Sequence, residues 1–313
     1  MLKKLLKKRH MSLADHTRYR IFKDILARNI MFGLTVFSLL LAVIIGLGLY
    51  FKSAPILNEH SLWSMLSSSS WRPFKGEFGF YPFIMGTLWV TIIAIVIALP
   101  LCLLSGIYLS EYAHPFIKRL VDPMIDILAG IPPVVYGVWG VLVVVPFIGD
   151  KIAPHFVEYS AGYSVLAGGI VLAIMIVPLI ISILTEIFAS VPKELRDASL
   201  SVGATKWQTI KFVILRKSTP GIFAAVVLAI SRAFGETIAV LMVCGNISQV
   251  PHSVFDSGYP LPALIANNYG EMMSLPLYDS ALMLAALILF VIILIFNAVS
   301  RIILVRIERR FAL

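Results

Sequence analysis

Six long apolar runs alternate with polar segments along the 313 residues. They extend from Ile30 to Tyr50, Phe83 to Leu109, Met124 to Ile148, Tyr163 to Ile187, Gly221 to Gly245 and Tyr278 to about Ile303. Each is about 20 residues or longer, enough at about 1.5 Å per residue to cross a hydrocarbon core of about 30 Å. The pattern predicts an all-α polytopic membrane protein with six transmembrane helices. No small-residue cleavage site follows the first run, so it reads as a retained span and not as a removable signal peptide. Pro100 and Pro178 interrupt the second and fourth runs, and the third contains Gly130-Ile-Pro-Pro-Val-Val-Tyr-Gly137. Pro132 and Pro133 free backbone carbonyls that protein or a water-lined cavity must satisfy, which makes them candidates for a hinge or gate. A simple packing kink fits equally well.

One polar stretch has a different grammar. From Val191 to Pro220 the residues suit two short helices joined by a tight turn. Pro192 can open the first at its N1 position, and Gly203 can end it in a left-handed conformation. Thr205 followed three positions later by Gln208 fits a capping box for the second, and Pro220 marks the next boundary. Leu195, Ala198 and Val202 recur at helical spacing, giving a modest apolar stripe, with Arg196, Asp197 and Ser201 facing elsewhere. Such a helix wants a groove.

Composition agrees with the membrane assignment: 59% of residues are hydrophobic, 14% are charged, and the mean hydropathy is +0.92. The net charge of +9 is explained by topology. With six spans, 21 basic residues fall on the side that holds the termini, the 110–121 turn and the 187–220 insert, against four on the other side. This is the positive-inside pattern, so both termini and the insert are expected in the cytoplasm, and no nucleic-acid partner is required. The basic tail, with nine Lys and Arg up to Arg28, fixes orientation and can lie against anionic membrane lipid. Cys102 and Cys244 sit inside apolar runs, and the six His residues are scattered, so neither a disulfide nor a metal site is expected.

Arg232 and Glu236 are the ionisable residues deep in a span, where each costs about 2.5 to 3.5 kcal/mol on insertion scales. Four apart on one predicted helix, they can pair. Gly221, Ala225, Ala229, Ala233 and Thr237 recur every four residues beside them, a stripe that admits another helix closely and would make the fifth span central. A buried guanidinium with the Thr237 hydroxyl nearby suits an oxyanion such as phosphate. A purely structural ion pair is the competing account. No Gly-x-x-x-x-Gly-Lys-[Ser/Thr], His-Glu-x-x-His or Gly-x-Ser-x-Gly motif is present, so no catalytic residue and no cofactor is assigned, and energy must come from a gradient or a partner.

The insert resembles the EAA loop of bacterial ABC importer permeases. Asp197-Ala198-Ser199, then Gly203, then Val213, Leu215 and Arg216 follow its Glu-Ala-Ala, Gly and Ile-x-Leu-Pro pattern, departing at Asp197, Ser199, Val213 and Arg216. Ala129 to Gly137, Ser231-Arg-Ala-Phe-Gly-Glu-Thr-Ile-Ala-Val240 and Leu264-Ile-Ala-Asn-Asn268 resemble phosphate importer permeases of the PstC type over about residues 80 to 300. The resemblance implies a type I ABC importer (MetI-like) permease fold. Within it, 1–28 is a cytoplasmic tail, 29–82 the first helix and an outer loop, 83–305 the transmembrane domain with a coupling loop at 188–220, and 306–313 a second tail. It also implies docking of Glu194, Asp197, Ala198, Ser199, Gly203 and Ala204 on an ATPase, and a pathway role for Arg232, Glu236 and Thr237. The implied partners are a homologous PstA-type permease, two ATPase subunits, an extracytoplasmic phosphate-binding protein and inorganic phosphate. The basic-free connection from Asn246 to Leu277 is a candidate surface for the binding protein, or else a gate loop shaped by Pro260 and Pro262. Molybdate or sulfate import is the nearest alternative. A stand-alone secondary carrier is weaker, because no second half repeats the Arg-Glu span.

Overall fold

The structure is a computed structural model that describes residues 2–271, 275 and 277–311, with side chains described from residue 19 onward except at 308, 310 and 311. The basic side chains of Lys3 to Arg18 therefore lie outside the described residues, as do 272–274 and 276 in the connection before the last span. The chain divides into Met1–Lys52 and Ser53–Leu313. The first unit is one uninterrupted helix, the greater part of α1 (Leu2–Glu59). Its apolar character on all sides from Ile30 to Tyr50 suits a lipid-facing span.

In the second unit, α2 (Leu62–Ser67) and a two-stranded hairpin, β1 (Trp71–Arg72) and β2 (Glu77–Phe78), lead into the second span, α3 (Tyr81–Tyr112). There follow α4 (Pro115–Gly130), α5 (Pro133–His155), α6 (Val165–Ala189), α7 (Lys193–Ser201) and α8 (Lys206–Gly235). Short helices α9 (Ile238–Val243) and α10 (Leu261–Asn268) precede the last span, α11 (Tyr278–Phe311). Six helices are long and apolar enough to cross a membrane, as the hydrophobic pattern predicts.

Three boundaries differ from the sequence reading. The third span does not begin at Met124: α4 ends at Gly130, Ile131 and Pro132 are extended, and Pro133 opens α5. Pro132 and Pro133 thus separate two helices instead of kinking one. Pro220 is no boundary, because α8 runs through it from the insert into the membrane. Proline is tolerated inside spans where neighbouring groups cover the freed backbone, and Pro100 and Pro178 likewise lie within helices. The fifth span, expected to be continuous to Gly245, stops at Gly235.

The main core forms around α6, the most buried of the spans, and not around α8. Its Gly168 and Gly169 let it lie against α3: a Cβ on Gly169 would stand 2.6 Å from Ile93 Cβ, and one on Gly168 would collide with Cys244 Sγ. The small stripe of α8 is real, with Ala225, Ala229 and Ala233 buried and Gly221 against Ile187 of α6. Thr237 leaves the stripe, since the helix has ended. At the end opposite α7, a second apolar cluster gathers Ile56, Met65, Phe78, Phe80, Phe83, Tyr259, Leu261 and Tyr278. There the 246–258 segment meets α6: Val165 N–H donates to Asp256 O and Leu166 N–H to Val254 O, at 2.9 Å each.

Gly169→Leu should force α3 and α6 apart and lower the thermal unfolding midpoint of the purified protein, overpacking of this kind costing about 1–3 kcal/mol. Gly33→Leu, with open space around it, should leave the midpoint unchanged or raise it.

Candidate functional site

Two regions hold the residues singled out in the sequence. The first is the helix pair. Thr205 and Gln208 form the expected capping box, and Gly203 turns the chain at φ +87°, with its N–H donating to Leu200 O and that of Ala204 to Ser199 O. Pro192 stands one residue earlier than expected, as the N-cap. Glu194, Leu195, Asp197, Ala198, Val202 and Gly203 are exposed, while Ser199 and Ala204 are half-buried. Val202, 83% exposed, is the apolar tip. Ser199 Oγ lies 2.9 Å from the buried Thr209 Oγ1 and so bolts α7 to the start of α8. A serine at this motif position thus has a structural use that an alanine lacks.

The sequence reading set Arg196 only off the apolar stripe; the structure turns it to the bundle. Its Nη1 donates to Val191 O and its Nη2 to Phe188 O, at 2.7 Å each, and Nη2 also meets Glu111 Oε1 at 2.9 Å. The guanidinium adds donors to the carbonyls of Phe188 and Val191 at the end of α6 and completes an ion pair with the end of α3. Lys206 Nζ sits 4.5 Å above the Tyr112 ring, a second tie to α3. Only the i, i+4 rule for helix faces was available to place Arg196, and that rule says nothing of a reach to another helix.

The second region is the break in the fifth span. Glu236 is extended (φ −71°, ψ 128°), Thr237 Oγ1 donates to Gly235 O at 3.2 Å, and the Glu236 carboxylate accepts from Ala239 N–H at 3.4 Å in α9. Arg232 and Glu236 therefore share no helix face, and no ion pair joins them. Among the described residues the one ion pair is Arg196 with Glu111. Arg232 is exposed, and Glu236 and Thr237 are half-buried. Glu236 borders a small cavity with Thr87 and Thr91 of α3 and with Pro260 and Pro262. Thr87 Oγ1 accepts from Leu261 N–H at 2.9 Å, fixing the two prolines beside the break. Asn267 and Asn268 both donate to Tyr259 Oη, at 2.9 and 2.7 Å. Burial raises the Tyr259 pKa, so the phenol stays neutral and the two amides hold the outer connection in place. Pro132 and Pro133 precede by one turn Gly137, which packs α5 against Ala239 and Met242 of α9, and Tyr136 Oη donates to Leu128 O at 2.8 Å across their gap.

The exposed helix pair belongs to a chain with six helices long and apolar enough to cross a membrane. The membrane chain of the inward-facing MetNI methionine ABC transporter superposes with a TM-score of 0.54 at 18% identity, over 73% of this chain and 94% of that one. The fold is therefore that of an ABC importer permease. The model of the family described as binding-protein-dependent transport system inner membrane component matches residues 102–313. The chain belongs to that family, and as such it is a multi-pass inner-membrane permease subunit and not itself an enzyme. The probable ABC transporter permease protein YqgH of Bacillus subtilis (strain 168) is 39% identical over 267 residues, 83% of this chain and 85% of that protein. The phosphate transport system permease protein PstC of Pasteurella multocida (strain Pm70) is 33% identical over 293 residues, 89% and 90%.

Arg196→Met should remove the ion-pair partner of the half-buried Glu111 carboxylate and the guanidinium donors to Val191 O and Phe188 O, at a cost of about 3 kcal/mol, seen as a lower unfolding midpoint. Glu111→Gln keeps an acceptor and should cost about 1 kcal/mol. A double-mutant cycle on the two positions should show coupling; strict additivity would mean that the pair is not formed.

Proposed function

We propose that this chain is the permease subunit of an ATP-driven phosphate importer, supplying half of the translocation pathway. The observation that carries the reading is the continuity of α8: one helix joins the exposed pair, through the Thr205–Gln208 capping box, to Arg232 and the break at Glu236. Over 30 residues it spans about 45 Å, so a displacement at α7 is carried toward the charge along one continuous helix, which includes a π turn at Ile210–Ile214 and Pro220. The relatives named as phosphate permeases support the substrate, and the positive-inside distribution supports cytoplasmic termini and a cytoplasmic helix pair.

In this reading Glu194, Asp197, Ala198, Ser199, Gly203 and Ala204 meet a groove of an ATPase subunit. Two such subunits drive this chain and a homologous PstA-type permease. Closure of the ATPase pair on ATP moves the helix pairs and opens the bundle outward, where an extracytoplasmic binding protein delivers phosphate. Arg232 supplies the charge that draws the dianion through charge-assisted hydrogen bonds, and Thr237 and Glu236, at the broken backbone, line its way. Pro132 and Pro133, between α4 and α5, provide the flexible joint of the third span.

Arg232→Gln in an assembled complex should reduce phosphate uptake at least tenfold while the subunits remain associated; undiminished uptake would remove Arg232 from the pathway. Competition by molybdate or sulfate matching that by phosphate would assign a different oxyanion. Gly203→Leu, which places a side chain on a left-handed residue at about 1–2 kcal/mol, should leave the permease in the membrane but weaken its retention of the ATPase. Normal retention and transport would show that the turn does not couple.

A further inference from the structure

The last span carries polar side chains that the proposed pathway does not use. Asn297 and Arg301 are four residues apart on α11, and both are exposed, although they lie in a span whose apolar neighbours face lipid or protein. Arg301, counted above with the basic residues of the inner side, stands near that end of the span, and Asn297 lies one turn deeper, where a polar group is expensive on a lipid-facing surface and is found where a helix borders a cavity or another subunit. Here they line a groove of about 390 Å³ between α8 and α11, whose polar wall is Ser231, Asn297, Ser300 and Arg301. Ser231 Oγ donates to Asn297 Oδ1 at 2.9 Å, and Asn297 Nδ2 donates to Ile293 O at 3.0 Å, so the amide is held in one orientation. Ser300 is buried behind them, and Arg301 has no carboxylate partner among the described residues.

The order along the two helices is informative. The break at Glu236 and Thr237 stands farthest from α7. Arg232 follows one turn nearer, then the Ser231–Asn297 pair, then Arg301, one further turn along α11 toward the end that carries the helix pair. Arg232 directly follows Ser231 in α8, and the groove that Ser231 lines reaches Arg301, so two guanidiniums without carboxylate partners among the described residues stand to either side of one polar rung.

We infer that Arg301, with Ser231 and Asn297, forms a second anion-holding station that receives phosphate after Arg232, on the side of the coupling helices. The inference rests on the reading that Arg232 lies on the phosphate path. The station takes the tetrahedral oxyanion as a charge-assisted ligand of the Arg301 guanidinium, with the Ser231 hydroxyl as a polar neighbour.

The test uses the whole complex in liposomes, with uptake of labelled inorganic phosphate and ATP hydrolysis measured together. Arg301→Gln is expected to slow uptake about tenfold and to lower the phosphate moved per ATP, with Arg301→Lys recovering much of the loss. An unchanged ratio, or a loss that Lys does not relieve, would overturn the second station. Failure of Arg232→Gln to reduce uptake would instead overturn the pathway reading itself. Leu304→Cys, at the groove wall, supplies a readout independent of transport: saturating phosphate should slow thiol labelling, and Arg301→Gln in the same chain should abolish that protection. Absence of protection would count against the station. A lipid headgroup is the other source of phosphate chemistry at this depth. If the Arg301→Gln defect disappears in vesicles of phosphatidylcholine alone, and returns with phosphatidylglycerol, Arg301 serves the headgroup and the inference fails.

Discussion

In hydrocarbon an unpaired backbone group has no water to turn to, and each costs several kcal/mol. This constraint decides where the bundle can be interrupted and which side chains must attend each interruption. At the fifth span the Thr237 hydroxyl covers the carbonyl of Gly235 and the Glu236 carboxylate takes the Ala239 N–H of the next helix. Between α4 and α5 the phenol of Tyr136 covers Leu128 O. At the end of α6 the guanidinium of Arg196 takes the carbonyls of Phe188 and Val191. The breaks are therefore made by residues that read in the sequence as functional or merely polar, and each has a backbone partner that accounts for its type.

The Arg196 anchor also sets how the helix pair moves. The first short helix is tied to the ends of α3 and α6, and the second is the root of α8. The Ser199–Thr209 contact and the turn at Gly203 hold the two at a fixed angle. Four elements meet within one turn of Glu111, so the pair cannot swing as a loop would. Any displacement at Val202 is shared between α8, which leads to Arg232, and the α3–α6 core. Two π turns, Tyr108–Tyr112 and Ile210–Ile214, lie at this junction. Such turns widen the helix and shift its face, and they recur where helices must bend in use.

Much of this was legible in the sequence. Apolar run length gave all six spans, because hydrocarbon thickness leaves little choice. The capping box and Gly203 gave the helix pair, because local hydrogen bonding and a left-handed φ fix those turns without tertiary help. The small stripe on α8 was read correctly up to Ala233. What failed were statements that need a third dimension. Pro220 signals a boundary in water, yet inside a bundle its cost is absorbed by neighbours. A Gly-Glu-Thr sequence in an apolar run gives no sign that the helix stops, so Arg232 and Glu236 were put on one face. Arg196 was read only as lying off the apolar stripe, because the carbonyls it serves lie outside its own helix, and Glu111 is 85 residues away.

The break in α8 gives the clearest link between backbone and chemistry. Had the helix continued, Arg232 and Glu236 would have stood four apart and neutralised one another, leaving a structural pair with little to offer an anion. Ending the helix at Gly235 turns the carboxylate toward the start of α9, where it accepts a backbone N–H, and leaves the guanidinium exposed without a carboxylate partner among the described residues. A membrane bundle selected for stability alone would pair or remove such a charge, since an uncompensated one is costly at depth. Its retention, at the end of a continuous helix rooted in the exposed helix pair, is what the proposed role requires: an arginine kept free for a moving dianion, and displaced whenever the motor displaces the helix.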